Sequence, residues 1–161
     1  MSNITKEQIL ETFLDEPMFL YFTQKFPHKD ETELRTKISE LLKFLMLCCH
    51  DDLKGEVLFS EEIDNIWHYW ILQTQQYQDL CKKLPTGKFV HHSSNDYREN
   101  EMLVEPDKIA QRNLDFFSSY IENFGEIADE TLTYWPGALE IMSLYSWDLR
   151  TFNGELAQLS A

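Results

Sequence analysis

Residues 31–49 read ETELRTKISELLKFLMLCC, a stretch with the period of a long amphipathic helix. Its apolar residues recur every three or four positions, and charged residues stand between them. The pattern predicts one helix face that is buried and an opposite face that is exposed to solvent. The predicted buried face carries Leu34, Ile38, Leu41, Leu42, Leu45 and Cys49, and the predicted exposed face carries Glu33, Lys37, Glu40 and Lys43.

Helical signals continue on both sides of this stretch. Thr5 opens a capping box, Ser60 is an N-cap candidate, Pro106 suits a first helical turn and Gly125 suits a helix end. Strand signals are too short to build a sheet. The sequence therefore predicts an all-α fold, a compact single-domain bundle of about six or seven helices. The predicted helices cover residues 6–15, 18–26, 31–49, 61–73, 74–84, 106–124 and 138–146, within one domain over residues 1–161 whose tail, 153–161, is prone to fraying.

The charge of the chain bears on its partners. The 28 acidic and 14 basic side chains give a formal net charge of −14 at pH 7. Such a surface repels phosphate backbones and anionic lipid. We therefore expect neither nucleic acid nor membrane as a partner, and we expect a protein partner, to which a basic surface would be complementary.

Two features of the sequence favour a cytoplasmic location. No N-terminal basic segment leads into an apolar signal core, and no apolar run approaches the roughly 20 residues that span a bilayer. Cys48, Cys49 and Cys81 are odd in number, and adjacent cysteines do not easily close a relaxed bridge with each other. We expect reduced, mostly buried thiols rather than a disulfide framework.

The densest group of chemically versatile side chains lies between Asp64 and His92. It contains His68, Cys81, His91 and His92, and thus three of the five histidines of the chain. These donors suffice for a tetrahedral zinc site, or for a copper site if the thiolate participates. No Cys-x-x-Cys, His-Glu-x-x-His or zinc-finger spacing occurs, so a metal site would have to be assembled from a helix and a loop.

The same residues also have a structural interpretation. Asp64 and His68 stand one helical turn apart, so the carboxylate can accept an imidazole N–H and give a core histidine its partner. Cys81 would then be a small apolar filler at a helix end. His91 and His92 would bond backbone carbonyls or cover the loop. In a metal site, the Asp64 contact would instead orient the His68 ring.

A catalytic interpretation uses His68, oriented by Asp64, as a general base. Cys81 would be the nucleophile, or His91 a second acid/base group. The sequence shows no glycine-rich phosphate loop and no Gly-x-Ser-x-Gly elbow, so no active-site signature supports this interpretation. Whether the protein is an enzyme stays open at this point.

Residues 64–92 also form a recognisable motif. An Asp-x-x-Trp-His segment is followed by Thr-x-x-Tyr-x-x-x-Cys and then by a pair of histidines. The arrangement resembles the glycine-rich domain-containing protein-like family, in its short bacterial-type form. Many plant members have a second histidine where this chain has Trp70. The resemblance implies one structural unit, in which Trp67 and His68 face the loop that bears the histidine pair. The motif residues are Asp64, Trp67, His68, Thr74, Tyr77, Cys81, His91 and His92.

These observations support two functional hypotheses. The first is a non-catalytic, acidic, helical binding or regulatory module that acts through protein–protein contacts. It would gain support if Tyr69, Tyr134 and Trp135 formed one exposed aromatic patch. The alternative is a zinc- or copper-binding protein, or a metal-dependent enzyme, that uses the cluster of His68, Cys81, His91 and His92.

Overall fold

Nine α-helices form the part of the chain that the computed structural model describes, which comprises residues 2–49, 57, 59–92 and 106–160. No strand occurs among these residues, and the prediction of an all-α fold is confirmed. The predicted polar break at 51–55 and the loop that follows His92 lie outside them. The helices are α1 (Lys6–Phe13), α2 (Glu16–Lys25), α3 (Glu31–Cys48), α4 (Glu61–Leu72), α5 (Thr74–Lys83), α6 (Pro106–Phe124), α7 (Asp129–Leu132), α8 (Pro136–Tyr145) and α9 (Leu149–Leu159).

The helix count exceeds the prediction because α7 and α9 went unpredicted. Helix α7 has only four residues, too few to show a period. Helix α9 begins at an N-cap, Asp148, whose side chain accepts a hydrogen bond from the Thr151 N–H. Phe152 and Leu156 lie one turn apart and are both buried. The helix extends to Leu159, and the fraying expected of residues 153–161 stays a prediction.

The predicted signals at these helix ends are confirmed. The capping box at Thr5 is present, and Ser60 accepts a hydrogen bond from the Ile63 N–H. Gly125 follows α6 with a φ of +91°, a conformation that favours glycine. None of the described helices combines the length and the apolarity that crossing a membrane requires.

Helix α3 lies at the centre of the fold and packs against α1, α4 and α6. The predicted apolar face is buried, except that Cys49 is only half-buried. The prediction that Lys37 and Glu40 face solvent is wrong, because these two residues are only 2% and 1% exposed. Neighbouring helices surround α3 on more than the apolar face, so these two charged groups must find partners inside the protein.

Lys37 finds its partners on α3 and α4. Its Nζ atom lies 2.8 Å from a carboxylate oxygen of Glu33 and also pairs with Glu62. Burial alone would lower the pKa of Lys37, but the hydrogen bonds to Glu33 and Glu62 outweigh burial and raise that pKa above the ordinary lysine value. The side chain therefore stays charged and ties α3 to the beginning of α4.

Aromatic rings link the central helices into one core. The ring of Phe44 on α3 lies 5.4 Å from that of Trp67 on α4 and 5.9 Å from that of Phe116 on α6. Phe116 in turn lies 5.3 Å from Trp135, the residue before α8. These tilted and edge-to-face contacts are the favoured geometries of aromatic pairs, and they fix the position of α4.

Asn153 fastens α9 to the turn that follows α6. Its buried amide accepts a hydrogen bond from the Ile127 N–H at 2.9 Å and donates one to the Ile127 carbonyl at 3.0 Å. We expect Asn153→Ala to lower the free energy of unfolding by about 2–3 kcal/mol, because two buried backbone groups lose their partner. Urea unfolding measures this change, with exposed Gln158→Ala on the same helix as the control. Equal unfolding midpoints for the two variants would contradict the prediction.

Candidate metal centre

Helix α4 presents two polar side chains on one face. Because Ser60 caps its first turn, the register of the helix is set, and Ile63, Ile66, Trp67 and Trp70 turn into the core. Asp64 and His68 lie one turn apart on the remaining face, with side chains 16% and 42% exposed. The helix thus holds a carboxylate and an imidazole side by side near the surface.

The segment that follows α5 brings in a second histidine. His92 approaches α4, and its side chain is only 7% exposed. Its ring lies against that of the buried Trp67, with a centroid distance of 4.1 Å and an interplanar angle of 37°. Because Trp67 immediately precedes His68, the core of the fold supports the ring of His92 directly beside the polar face of α4.

The three side chains meet at their polar atoms. The Nε2 atoms of His92 and His68 are 2.8 Å apart, and His92 Nε2 lies 3.2 Å from Asp64 Oδ1. One ligand atom from each of the three residues lies within 4.8 Å of the other two. A carboxylate and two imidazoles in this arrangement form a set of donors suited to zinc and to other divalent transition metals.

The short distance between the two Nε2 atoms requires something between them. Two bare imidazole lone pairs repel at 2.8 Å, so the pair must share either a proton or a cation. Within the described residues, the buried Nδ1 of His92 has no hydrogen-bond partner. A metal bound to Nε2 would place the ring proton on Nδ1, and no group among the described residues accepts it there.

The distances fit a metal ion with a small adjustment. In a tetrahedral zinc site, bonds of about 2.0–2.1 Å place neighbouring ligand atoms about 3.3 Å apart. The separation of His92 Nε2 and Asp64 Oδ1, 3.2 Å, matches this value. The two imidazoles would separate by about 0.5 Å to reach it. His68, with a side chain that is 42% exposed, has room for that movement.

Asp64 has a different position from the one predicted. Its Oδ2 lies 3.7 Å from His68 Nδ1, which is too long for a hydrogen bond. Asp64 therefore does not orient the His68 ring through a hydrogen bond, and its Oδ1 faces His92 as a ligand would. A carboxylate and a histidine at i and i+4 have the spacing of two metal ligands on one helix face. This spacing is the feature of the sequence that points to Asp64 as a ligand.

The other two residues proposed as ligands from the sequence lie outside this group. Cys81 is buried, and its sulfur accepts a hydrogen bond from the Val90 N–H at 3.5 Å. His91 is exposed, and its ring packs on Phe89 with a centroid distance of 4.8 Å. Within the described chain, neither side chain joins the ligand group of Asp64, His68 and His92.

The geometry also bears on the catalytic and structural interpretations. Burial raises the pKa of Cys81, so the thiol is poorly suited to act as a nucleophile. His68 is too exposed for a core histidine.

Thr74 is the first residue of α5 and is exposed, whereas Gln73 holds the N-cap position without a side-chain hydrogen bond. Thr74 therefore belongs to the helix itself and does not cap it.

Tyr77 connects the motif to the segment that carries His92. Its hydroxyl accepts a hydrogen bond from Trp67 Nε1 at 3.0 Å and donates one to the Val90 carbonyl at 2.5 Å. Burial raises the pKa of Tyr77 well above the usual tyrosine value, which keeps the hydroxyl protonated as a donor. Trp67, Tyr77 and the histidine segment are therefore one connected unit.

Comparison with known proteins gives the family of the chain. Neither a search of curated proteins nor a search of solved structures found a match. The model of the UCP032817-like family matches residues 5–113, more than half of the chain and all of the motif between Asp64 and His92. The assignment to the glycine-rich domain-containing protein-like family is therefore wrong, since a motif confined to 64–92 was too short to distinguish the two. The chain belongs to the UCP032817-like family.

Proposed function

We propose that this protein binds one divalent transition-metal ion of the zinc class through Asp64, His68 and His92. The observation that carries the proposal is the meeting of three ligand atoms, with His92 Nε2 2.8 Å from His68 Nε2 and 3.2 Å from Asp64 Oδ1. Copper bound through a thiolate has less support, because Cys81 bonds Val90 instead. A nitrogen and oxygen donor set suits zinc.

The electrostatic setting favours a cation at this place. Glu61 joins Asp64 in the first turn of α4, where the charge of Glu62 is already paired with Lys37, and the chain as a whole carries a formal charge of −14. A negative field raises the local concentration of divalent cations. Two neutral imidazoles and one carboxylate would leave a bound M²⁺ ion with a net charge of +1, so the ion would keep its Lewis acidity.

The number of ligands bears on what the ion can do. Three protein ligands are the usual number in catalytic zinc sites, where water or substrate takes the fourth position. His68 lies at the surface, so solvent can reach that position. The three ligands found among the described residues therefore favour the metal-dependent enzyme of the second hypothesis over a closed structural zinc site, which has four protein ligands.

We expect the untagged protein, stripped with a chelator and titrated with Zn²⁺, to bind close to one ion per chain. His68→Ala, His92→Ala and Asp64→Asn each remove a ligand. Each should weaken binding by about 100-fold or more, since even loss of a residue behind a ligand costs 10- to 100-fold. Competition with a coloured chelator measures the affinity, and elemental analysis measures the ratio.

The matched control for these variants is His91→Ala. His91 adjoins His92 in the chain, but its exposed ring packs on Phe89 rather than on the cluster. Its removal should leave the affinity for Zn²⁺ unchanged. Failure of the wild-type protein to take up Zn²⁺ would overturn the proposal, and so would an equal loss in His91→Ala and His92→Ala.

The proposal of a binding module that acts through protein contacts has less support. Tyr134 and Trp135 are buried, and Tyr69 packs against the rings of Tyr21 and Phe26. The aromatic patch on which that hypothesis depended is therefore not exposed. A basic protein partner and a cytoplasmic location stay predictions from net charge and cysteine content. Binding that weakens steeply with salt would support such a partner.

A further inference from the structure

Val90 anchors the part of the chain that leads directly into His92. Val90 is buried, and both of its backbone polar groups bond side chains of α5. Its carbonyl accepts from the Tyr77 hydroxyl at 2.5 Å, and its N–H donates to the Cys81 sulfur at 3.5 Å. Tyr77 and Cys81 lie one helical turn apart, so Val90 forms hydrogen bonds with two side chains on the same face of α5.

The hydrogen bond from Tyr77 is the stronger of the two contacts. The Tyr77 hydroxyl donates to a carbonyl oxygen, which is a good acceptor, whereas the sulfur of Cys81 is a weak acceptor. The same hydroxyl accepts the Trp67 Nε1–H at 3.0 Å. Tyr77 therefore joins α5, α4 and the segment leading to His92 through one oxygen atom.

The hydroxyl oxygen of Tyr77 constrains His92 in two ways. Val90 lies only two residues before His92, so the position of its carbonyl limits where the His92 backbone can run. Trp67, held by the same hydroxyl, has its ring 4.1 Å from that of His92. The backbone and the ring of His92 thus both depend on Tyr77, the first through Val90 and the second through Trp67.

We propose that Tyr77 is the positioning residue of the metal centre, and that its hydroxyl sets the Val90 carbonyl and Trp67 so that His92 Nε2 meets Asp64 and His68. The inference rests on the proposed metal function and adds a residue that would touch neither the ion nor its ligands. Groups behind metal ligands hold them in orientation, and their loss weakens metal binding.

Tyr77→Phe tests the inference because it removes only the hydroxyl. We expect the affinity for Co²⁺, used as a visible probe of the zinc site, to fall by about 10- to 100-fold. The Co²⁺ absorption bands should also change, since a displaced His92 alters the ligand geometry. Circular dichroism at the titration temperature confirms that the variant is folded.

Tyr120→Phe is the matched control. Tyr120 is also a buried tyrosine whose hydroxyl donates a hydrogen bond, but its partner is Glu40 on α3. This variant should be destabilised in the same way as Tyr77→Phe, while its Co²⁺ affinity and spectrum stay those of the wild type. The pair therefore separates a loss of positioning from a general loss of stability.

The outcomes are distinct. If the wild type binds Co²⁺ and Tyr77→Phe binds it equally well, the positioning role is overturned and the metal site stands. Equal weakening in Tyr77→Phe and Tyr120→Phe would also overturn it. If the wild type binds no Co²⁺ or Zn²⁺, the proposed function fails and this inference fails with it. Should Tyr77→Phe be unfolded in buffer alone, an excluded osmolyte such as sucrose favours its compact state. A Co²⁺ affinity equal to that of the wild type in the same osmolyte would then contradict the proposal.

Discussion

Glu40→Ala is expected to lower the free energy of unfolding by about 3–5 kcal/mol, because it breaks a buried ion pair and leaves its partners unpaired. The Glu40 side chain is only 2% exposed, and that of its partner Lys43 is 12% exposed. Against a total stability of about 5–15 kcal/mol for a typical domain, such a loss is severe. Chemical unfolding measures it, with exposed Glu140→Ala as the control.

The expected size follows from the number of contacts made by one carboxylate. Glu40 Oε2 accepts hydrogen bonds from the Tyr120 hydroxyl at 2.8 Å and from Trp135 Nε1 at 2.9 Å, and Oε1 lies 2.9 Å from Lys43 Nζ. Lys43 also donates to the Tyr120 oxygen at 3.0 Å. Burial, together with the charge of Glu40, raises the pKa of Tyr120, so its hydroxyl stays a donor.

A double variant tests whether the network acts as a unit. Lys43→Met alone should also destabilise, because it leaves the Glu40 charge buried without its cation. Glu40→Ala with Lys43→Met removes both charges, so its cost should fall short of the sum of the two single costs by about 1–3 kcal/mol. Strict additivity would contradict the network, as would a Glu40→Ala midpoint equal to that of Glu140→Ala.

Glu40 and Lys37 also show where sequence reasoning about the fold ends. The period of residues 31–49, the capping box at Thr5 and the cap at Ser60 are local, so the sequence predicts them. Two of the partners of Glu40, Tyr120 and Trp135, are far away in the chain. A charged residue on the polar side of a helical pattern is predicted to be exposed unless those distant partners are known.

The same limit applies to the candidate site. Asp64 and His68 belong to one helix face, so their proximity follows from their spacing. The choice between His91 and His92 does not follow, because neighbouring residues of an extended segment point in opposite directions and only one can face α4. The hydrogen bonds of Tyr77 and Cys81 to Val90 determine which histidine faces α4. They are tertiary contacts, which the spacing of residues in the sequence does not predict.

The second large effect is expected at Trp67, which belongs both to the core and to the site. The residue is fully buried, and its ring lies 5.4 Å from that of Phe44, 5.9 Å from that of Phe59 and 4.1 Å from that of His92. Trp67→Ala should lower the free energy of unfolding by about 3–5 kcal/mol, because it opens a cavity in a packed core. Chemical unfolding measures the loss.

Trp135→Ala is the control that separates the two roles of Trp67. Trp135 is equally buried, but its indole donates to Glu40 and its ring packs on Phe116. Both variants should lose similar stability. Only Trp67→Ala should also lose Co²⁺ affinity, by about 10-fold or more, because the ring that supports His92 is gone. Measured at low temperature on the folded fraction, equal affinities in the two variants would show that the core does not position His92. A loss confined to Trp67→Ala would show that one aromatic side chain stabilises the fold and shapes the metal centre at the same time.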